Sequence, residues 1–181
     1  MFDFFSADWH LFHNAIIEHT ERPWKSPNQM NQQLVYEHNQ IVSPADDFWL
    51  IGDVCLMSPE YVGRIRKEVE KFNGRKHLVL GNHDDWKAQN YLNAGFTTVH
   101  TAMWFEREGF HFYMMHDPSE YAVIEKDPKA ILLCGHIHRL FKHLLPAKRV
   151  INVGVDVWNY RPVPFNSIMN LLKEHKLWQE Q

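Results

Sequence analysis

The residues able to do chemistry come in five short runs: Asp8-Trp9-His10, Gly52-Asp53, Gly81-Asn82-His83-Asp84, Met115-His116-Asp117 and Gly135-His136-Ile137-His138. Histidine makes up 13 of the 181 residues, and it is both the commonest metal ligand and a frequent proton carrier. Taken alone, Asp8-Trp9-His10 and Gly52-Asp53 are ordinary turn chemistry. Gly81-Asn82-His83-Asp84 is more pointed, because no local turn needs its histidine. In the last run, two imidazoles at i and i+2 can converge on adjacent cations. His19, His38, His100, His143 and His175 read as incidental surface residues, although His38 also falls on the buried side of a helix.

Each run follows an apolar stretch. Phe2–Ser6, Phe48–Ile51, His77–Leu80, Phe110–Met115 and Ala130–Cys134 read as strands, joined by Thr97–Val99, Met103–Glu106 and Arg149–Val153. Arg107-Glu108-Gly109 closes a hairpin. Ser26-Pro27-Asn28-Gln29 opens a helix that buries Leu34, His38, Ile41 and Val42. Ser58-Pro59 opens another, with Val62, Ile65, Val69 and Phe72 on one face, and Asn73-Gly74 stops it. Asp85–Ala94 reads as a short helix, and a C-terminal one carries Ile168, Leu171 and Leu172. The aromatic run Trp104, Phe105, Phe110, Phe112, Tyr113 reads as core. Strand–helix alternation followed by strand-rich sequence predicts mixed sheets with helices outside. Ligands of open α/β sheets bind beyond the carboxyl ends of the strands, which is where all five runs fall.

Composition narrows the classes. Hydrophobic residues at 45% and charged residues at 23% are globular values, and the length suits a single domain spanning 1–181. The longest apolar runs are too short for a membrane helix, and Met1-Phe2-Asp3 lacks the basic start of a secretory leader. Two cysteines, Cys55 and Cys134, make no disulfide framework, so a reducing cytoplasm is expected. A net charge of −3 argues against coating long duplex nucleic acid, and no phosphate-binding G-x-x-x-x-G-K-[ST] loop is present.

The five runs, in this order, resemble the calcineurin-like metallophosphoesterase superfamily. Asp8 through His13 is similar to the opening of its small phage and bacterial members, and Asn152 through Trp158 to their closing segment. The resemblance implies an α/β/β/α sandwich, a four-layer arrangement of two mixed sheets flanked by helices. It also implies two divalent metal ions, Mn first and Fe, Ni or Zn as alternatives. By position Asp8, His10, Asp53 and His138 would hold one ion, and Asp53, Asn82, His116 and His136 the other, with Asp53 bridging. The proton donor maps to His83, oriented by Asp84. Two ions acidify a bridging water and clamp an in-line displacement, so no Ser, Cys or Thr nucleophile is needed. Asn152 and Asp156 read as groups behind the ligands.

The departures carry information. Gly52-Asp53 is not followed by the Asp and Arg-Gly of the protein phosphatases, which argues against a phosphoprotein substrate, and 181 residues leave no room for the capping domains of the repair nucleases. His13, Asn14 and Arg22 are the expected substrate contacts, with Arg161 as a further one and Arg139 as a possible phosphate contact. The expected activity is hydrolysis of small phosphodiesters or nucleotides, with no membrane partner. The alternatives are a phosphomonoesterase, a nuclease, or a metal-binding scaffold without catalysis.

Overall fold

A computed structural model describes residues 3–141, 144–145, 149–175 and 177. In chain order its elements are β1 (Phe4–Ser6), α1 (Ala15–His19), α2 (Pro27–Asn39), β2 (Asp47–Ile51), α3 (Val62–Val69), β3 (Arg75–Val79), α4 (Ala88–Asn93), β4 (Thr98–His100), β5 (Met103–Arg107), β6 (Phe110–Met114), β7 (Ala130–Cys134), β8 (Leu144–Leu145), β9 (Val150–Asn152), β10 (Val163–Pro164) and α5 (Phe165–Glu174). They form two five-stranded sheets, ordered β10-β1-β2-β3-β4 and β5-β6-β7-β9-β8. Both are mixed. In the first, β1 through β4 run parallel and β10 antiparallel. In the second, parallel β6-β7-β9 is edged by antiparallel β5 and β8.

The sheets pack face to face. Phe5, Trp49, Ile51 and Val79 from the first meet Phe112, Met114, Ile131, Leu133 and Ile151 from the second in one apolar cluster. On its other face the first sheet presents Phe48, Leu50 and Leu78 to Met30 and Leu34 of α2, Ile65 and Val69 of α3, and Tyr91 of α4. All five residues of β2 are therefore buried, as a parallel strand covered on both faces must be. The layering is the expected α/β arrangement, with unequal cover. Phe165, Ile168, Met169 and Leu172 of α5 join the inter-sheet cluster. The outer cluster of the second sheet draws on Ile124 and Tyr121 from the 3-10 segment Pro118–Val123 and the residue after it.

Local signals explain most boundaries. The Ser26 hydroxyl accepts from the Gln29 amide at 3.3 Å, and Gln29 in turn accepts from Lys25 N–H at 3.0 Å. At Ser58 no side-chain cap forms, so Pro59–Tyr61 is a 3-10 turn before α3. The five-residue α1 was not expected because it is too short to show a period, and β10 because it is only two residues long. Pro164 is tolerated there on an edge strand. Two readings are corrected. Strand alternation turns Phe105, Phe110 and Phe112 inward but leaves Trp104 56% exposed, with Tyr113 half-buried outside the inter-sheet cluster. His38 is no surface residue: it is buried edge-on against Phe48 and Phe72 and 6.2 Å from Trp9. His143 lies outside the described residues.

The His38 Nε2 lies 3.0 Å from the Asn73 carbonyl, which only accepts, so that nitrogen carries the proton. Burial pushes the ring down from 6.5 to about 4. Between those values the unfolded chain binds the extra proton, so stability falls as pH drops from about 6.5 to 4. The loss attributable to this ring is about 3 kcal/mol at most. His38→Gln, whose amide can still donate to Asn73, should flatten that part of a denaturant-melt pH profile relative to wild type. Parallel profiles would assign the acid sensitivity elsewhere.

A candidate metal centre at the strand ends

The backbone around the five runs is unusual. Asp8, His10, Phe12, Asp53, His136 and His138 all have positive φ, between 44° and 70°. Side chains reach that region at a cost of order 1–3 kcal/mol each, so the surroundings must impose it. The loop after β1 is laced to the loop after β2 through Asp8 N–H to Gly52 O (3.1 Å), His10 N–H to Asp53 O (2.9 Å) and Leu11 N–H to Val54 O (2.8 Å). The loop after β7 joins through His136 N–H, which donates to Asp8 Oδ1 at 3.0 Å. At Gly52 φ is +85°, and any Cβ would overlap the His116 ring and crowd Gly81 Cα. A Cβ at Gly154 would stand 2.7 Å from Asp8 Oδ2. Glycine at both places lets the walls close on the side chains.

The seven expected ligands are brought together. Two overlapping groups have ligand atoms within 4.8 Å of one another: Asp8, His10 and His138, and Asp8, Asp53 and His116. His10 Nε2 lies 3.3 Å from Asp53 Oδ2, and His116 Nε2 also lies 3.3 Å from that oxygen. Asn82 Oδ1 extends the cluster, 3.1 Å from His116 Nε2 and 2.8 Å from His136 Nδ1. Asp8 differs from expectation in serving both groups, since its Oδ1 is 3.9 Å from His116 Nε2.

Three buried polar atoms here have no hydrogen-bond partner: Asp8 Oδ2 and both ring nitrogens of His10. Unsatisfied buried groups are rare and costly, and a cation would satisfy Asp8 Oδ2 and the lone pair of one His10 nitrogen. Burial drives the His10 ring down to about 3, so it is neutral with a free lone pair. Burial likewise raises the Asp8 carboxyl, helped by the nearby Asp53 charge. Burial would also raise Asp53, but hydrogen bonding and charge from His116, with His10, hold it at about 2. Burial opposes charge on His116 too, yet Asp53 and Asp8 lift it to about 9. His116 Nδ1 donates to Ile51 O at 2.8 Å, leaving Nε2 as the nitrogen that can exchange its proton for a cation. Oxygen and imidazole donors without thiolate fit a borderline divalent ion.

Behind the cluster the structure corrects two assignments. Arg22 does not face a substrate. Its side chain is fully buried, with Nε and Nη2 on Asp156 at 2.8 and 3.0 Å, Nη2 also on Asp8 O and Nη1 on Trp9 O. Asp156 passes that constraint to His138 Nδ1 at 2.7 Å, so Arg22 braces a ligand candidate. Asp84 does not touch the His83 ring. Its carboxylate accepts from the amides of Gly81, Asp53 and Val54 at 2.7 to 3.0 Å, which ties two of the loops together. His83 is exposed, donates its backbone N–H to Asp53 Oδ1 at 3.1 Å, and sets its ring 5.7 Å from His10.

The remaining residues sort as follows. His13 lies beside the cluster, 5.6 Å from His10 between ring centres, and Asn14 is exposed at the start of α1. Arg139 is held by Glu21 and Tyr160, and Arg161 by Glu37. Asn152 donates to the His138 carbonyl at 2.8 Å, and so stands behind that ligand as expected. Cys55 and Cys134 are buried, and burial raises both thiols. Two contacts escaped sequence reasoning for lack of any local signal: Arg64 lies 4.2 Å over the Phe12 ring, and Trp86 Nε1 donates to Met57 O at 2.7 Å. Removing the brace should be costly: Arg22→Ala strands a buried carboxylate, for which a loss of about 3–5 kcal/mol is expected. A chemical melt of the variant at wild-type stability would show that the ion pair does not hold the loops.

The comparisons with known proteins agree with this architecture. The sequence profile of the calcineurin-like phosphoesterase superfamily domain matches residues 10–167. An uncharacterized protein of Methanocaldococcus jannaschii is 28% identical over 173 residues, covering 94% of this chain and 91% of that one. The gene 66 protein of Mycobacterium phage D29 is 24% identical over 202 residues, covering 94% and 95%. Among solved structures, a protein of unknown function from Aquifex aeolicus superposes with a TM-score of 0.70 at 22% identity, over 94% of this chain and all of that one. By its sequence profile the chain belongs to the calcineurin-like phosphoesterase superfamily.

Proposed function

We propose that this protein is a two-metal phosphoesterase that prefers small phosphodiesters, nucleotides among them. The observation that carries the reading is the convergence of Asp8, His10, Asp53, His116 and His138 at the strand ends, with Asp8 Oδ2 and both His10 nitrogens buried and unpartnered. In this reading Asp8, His10, Asp53 and His138 hold one divalent ion, and Asp53, Asn82, His116 and His136 the other. Mn²⁺ is the first choice and Fe, Ni²⁺ or Zn²⁺ the alternatives. When bound, two such ions acidify water and neutralise phosphoryl oxygens.

The chain's own groups do the rest. His138 is aimed by Asp156 and Arg22, and His116 by the Ile51 carbonyl. His83 is the general acid that protonates the leaving oxygen, placed by its backbone bond to Asp53. His13 and Asn14 are the substrate contacts. The diester preference rests on the arginines described around the site: a dianionic monoester is best held by a guanidinium fork, and Arg22 and Arg139 are both engaged by carboxylates. A net charge of −3 gives long duplexes little affinity through counterion release. No described helix is long and apolar enough to cross a membrane; the setting proposed is the reducing cytoplasm.

Three measurements test this. The deciding experiment compares kcat/KM for bis-nitrophenyl phosphate, nitrophenyl phosphate, a cyclic nucleotide and a short duplex under one metal and salt condition. Diesters should lead by about tenfold or more, which corresponds to ~1.4 kcal/mol; the reverse order would make the protein a phosphomonoesterase, and strong duplex cleavage a nuclease. Asp53→Asn should weaken both ions and abolish turnover, and two full-affinity sites by calorimetry would remove its bridging role. His83→Ala should keep its metals but slow esters with poor leaving groups by about 10²–10⁴-fold, sparing activated nitrophenyl esters.

Metal uptake should also depend on pH. His116 titrates near 9 without metal, so at pH 7 a cation must displace its proton, and affinity should rise as pH approaches that value. Calorimetry at pH 7 in buffers of different ionisation enthalpy should register that proton. A proton-neutral uptake of both ions would take His116 out of the ligand set.

A further inference from the structure

Beside the metal cluster opens a pocket of about 340 Å³. Part of its lining is Asn82, His83 and Asp85 from the loop after β3, and the rest is the segment 56–59 that follows Gly52-Asp53. That segment is fixed. Trp86, itself buried and stacked on Tyr91 at 5.1 Å, donates its indole N–H to the Met57 carbonyl at 2.7 Å. Leu11 bridges to Cys55, the residue immediately before it, and Tyr61 N–H closes on Ser58 O at 3.0 Å. On this anchored backbone Leu56 is left 45% exposed, with Met57 and Pro59 beside it in the lining. An apolar wall with a few polar groups, held next to a reactive cluster, is what a ligand pocket presents.

Hydrolysis says which part of the substrate that is. A new P–O bond forms to the oxygen of water, and the ester P–O bond breaks with its electron pair passing to the leaving oxygen. His83 gives that oxygen a proton, and the water's surplus proton returns His83 to its starting state through solvent. A general acid must be within hydrogen-bond reach of the atom it protonates. The group that departs therefore sits on the His83 side, where the pocket lies. Among the described residues of the lining, the carboxylate of Asp85 is the only ionisable side chain besides His83.

We infer that the 56–59/Asp85 pocket receives the leaving group and selects uncharged ones with an apolar face, the class of aryl alcohols and nucleosides, over leaving groups that carry an anion. This rests on the phosphoesterase reading above and adds the substrate class to it. Leu56, Met57 and Pro59 supply the apolar contact. Asp85 accepts a hydrogen bond from a hydroxyl or amine on the departing group and repels a second phosphate or carboxylate there. A pocket of this size takes one ring system or nucleoside, not a dinucleotide.

The test uses the metal-loaded full chain and three methyl phosphodiesters with phenyl, naphthyl and carboxyphenyl leaving groups. Ratios of kcat/KM are compared between variants and wild type, so that intrinsic leaving ability cancels. Leu56→Ala should lower the naphthyl-to-phenyl ratio roughly fivefold, the scale of losing about three buried methylene-sized contacts in part. Asp85→Asn should raise the carboxyphenyl-to-phenyl ratio by about the same factor, since a removed like charge in a water-filled pocket is worth on the order of 1 kcal/mol. Trp104→Ala, at a position also exposed and on an edge strand of the second sheet, should move neither ratio. Unchanged ratios in both pocket variants, with diesters still hydrolysed, would overturn the pocket assignment and leave the phosphoesterase reading standing. No hydrolysis of any diester by the metal-loaded wild type would overturn both.

Discussion

Two buried carboxylates that repel each other set the terms for this fold. Asp8 and Asp53 are almost without solvent, and each raises the electrostatic cost of the other. Their side chains can face one another only because the loops that carry them run left-handed at Asp8, His10 and Asp53, and because glycines at 52 and 154 leave room for the ring and carboxylate behind. Without a compensating charge the arrangement costs stability. His116 supplies part of that compensation as an imidazolium, whereas burial disfavours a proton on His10. The arrangement is better matched to a doubly charged cation than to protons. Stability is here exchanged for a preformed ligand geometry.

The charges outside the ligand set are spent on backbone. Arg22 reaches the carbonyls of Asp8 and Trp9 as well as Asp156, and Asp84 collects three amides from two loops. These contacts hold the left-handed segments against relaxation. They also separate the loops into a rigid part and a presented part: ligand candidates are locked from behind, whereas His83, Asn14 and Leu56 are exposed on the open side. Fixed donors beside an open, exposed face suit a site that binds small substrates.

Much of this was legible in the sequence because strand ends mark it. Apolar runs stopping at Gly52-Asp53, Gly81-Asn82 and Gly135-His136 placed the ligand candidates on one edge without any coordinates. What escaped depended on partners far along the chain. The role of Arg22 is defined by Asp156, 134 residues away, so nothing in its own neighbourhood separates a brace from the substrate contact expected of it. Asp84 follows His83 and looked like its orienting group, yet at the turn its carboxylate points back to Gly81 and across to Val54. Alternation in β5 and β6 was read as uniformly apolar because both faces carry aromatics, and only the packing of the second sheet separates Phe105 from Trp104.

The pairing of β1 with β10 and the lock of Arg22 on Asp156 join opposite ends of the chain. During synthesis Asp8 and His10 emerge early, but the residues that close over them, His136, His138 and Gly154, arrive more than a hundred positions later. The left-handed loop after β1 is laced early to the loop after β2, but its bond from the loop after β7 waits for His136. Contacts of such sequence separation form slowly. The cluster of candidate ligands is therefore complete only in the nearly finished polypeptide, since His136 and His138 are the last of its members to be made.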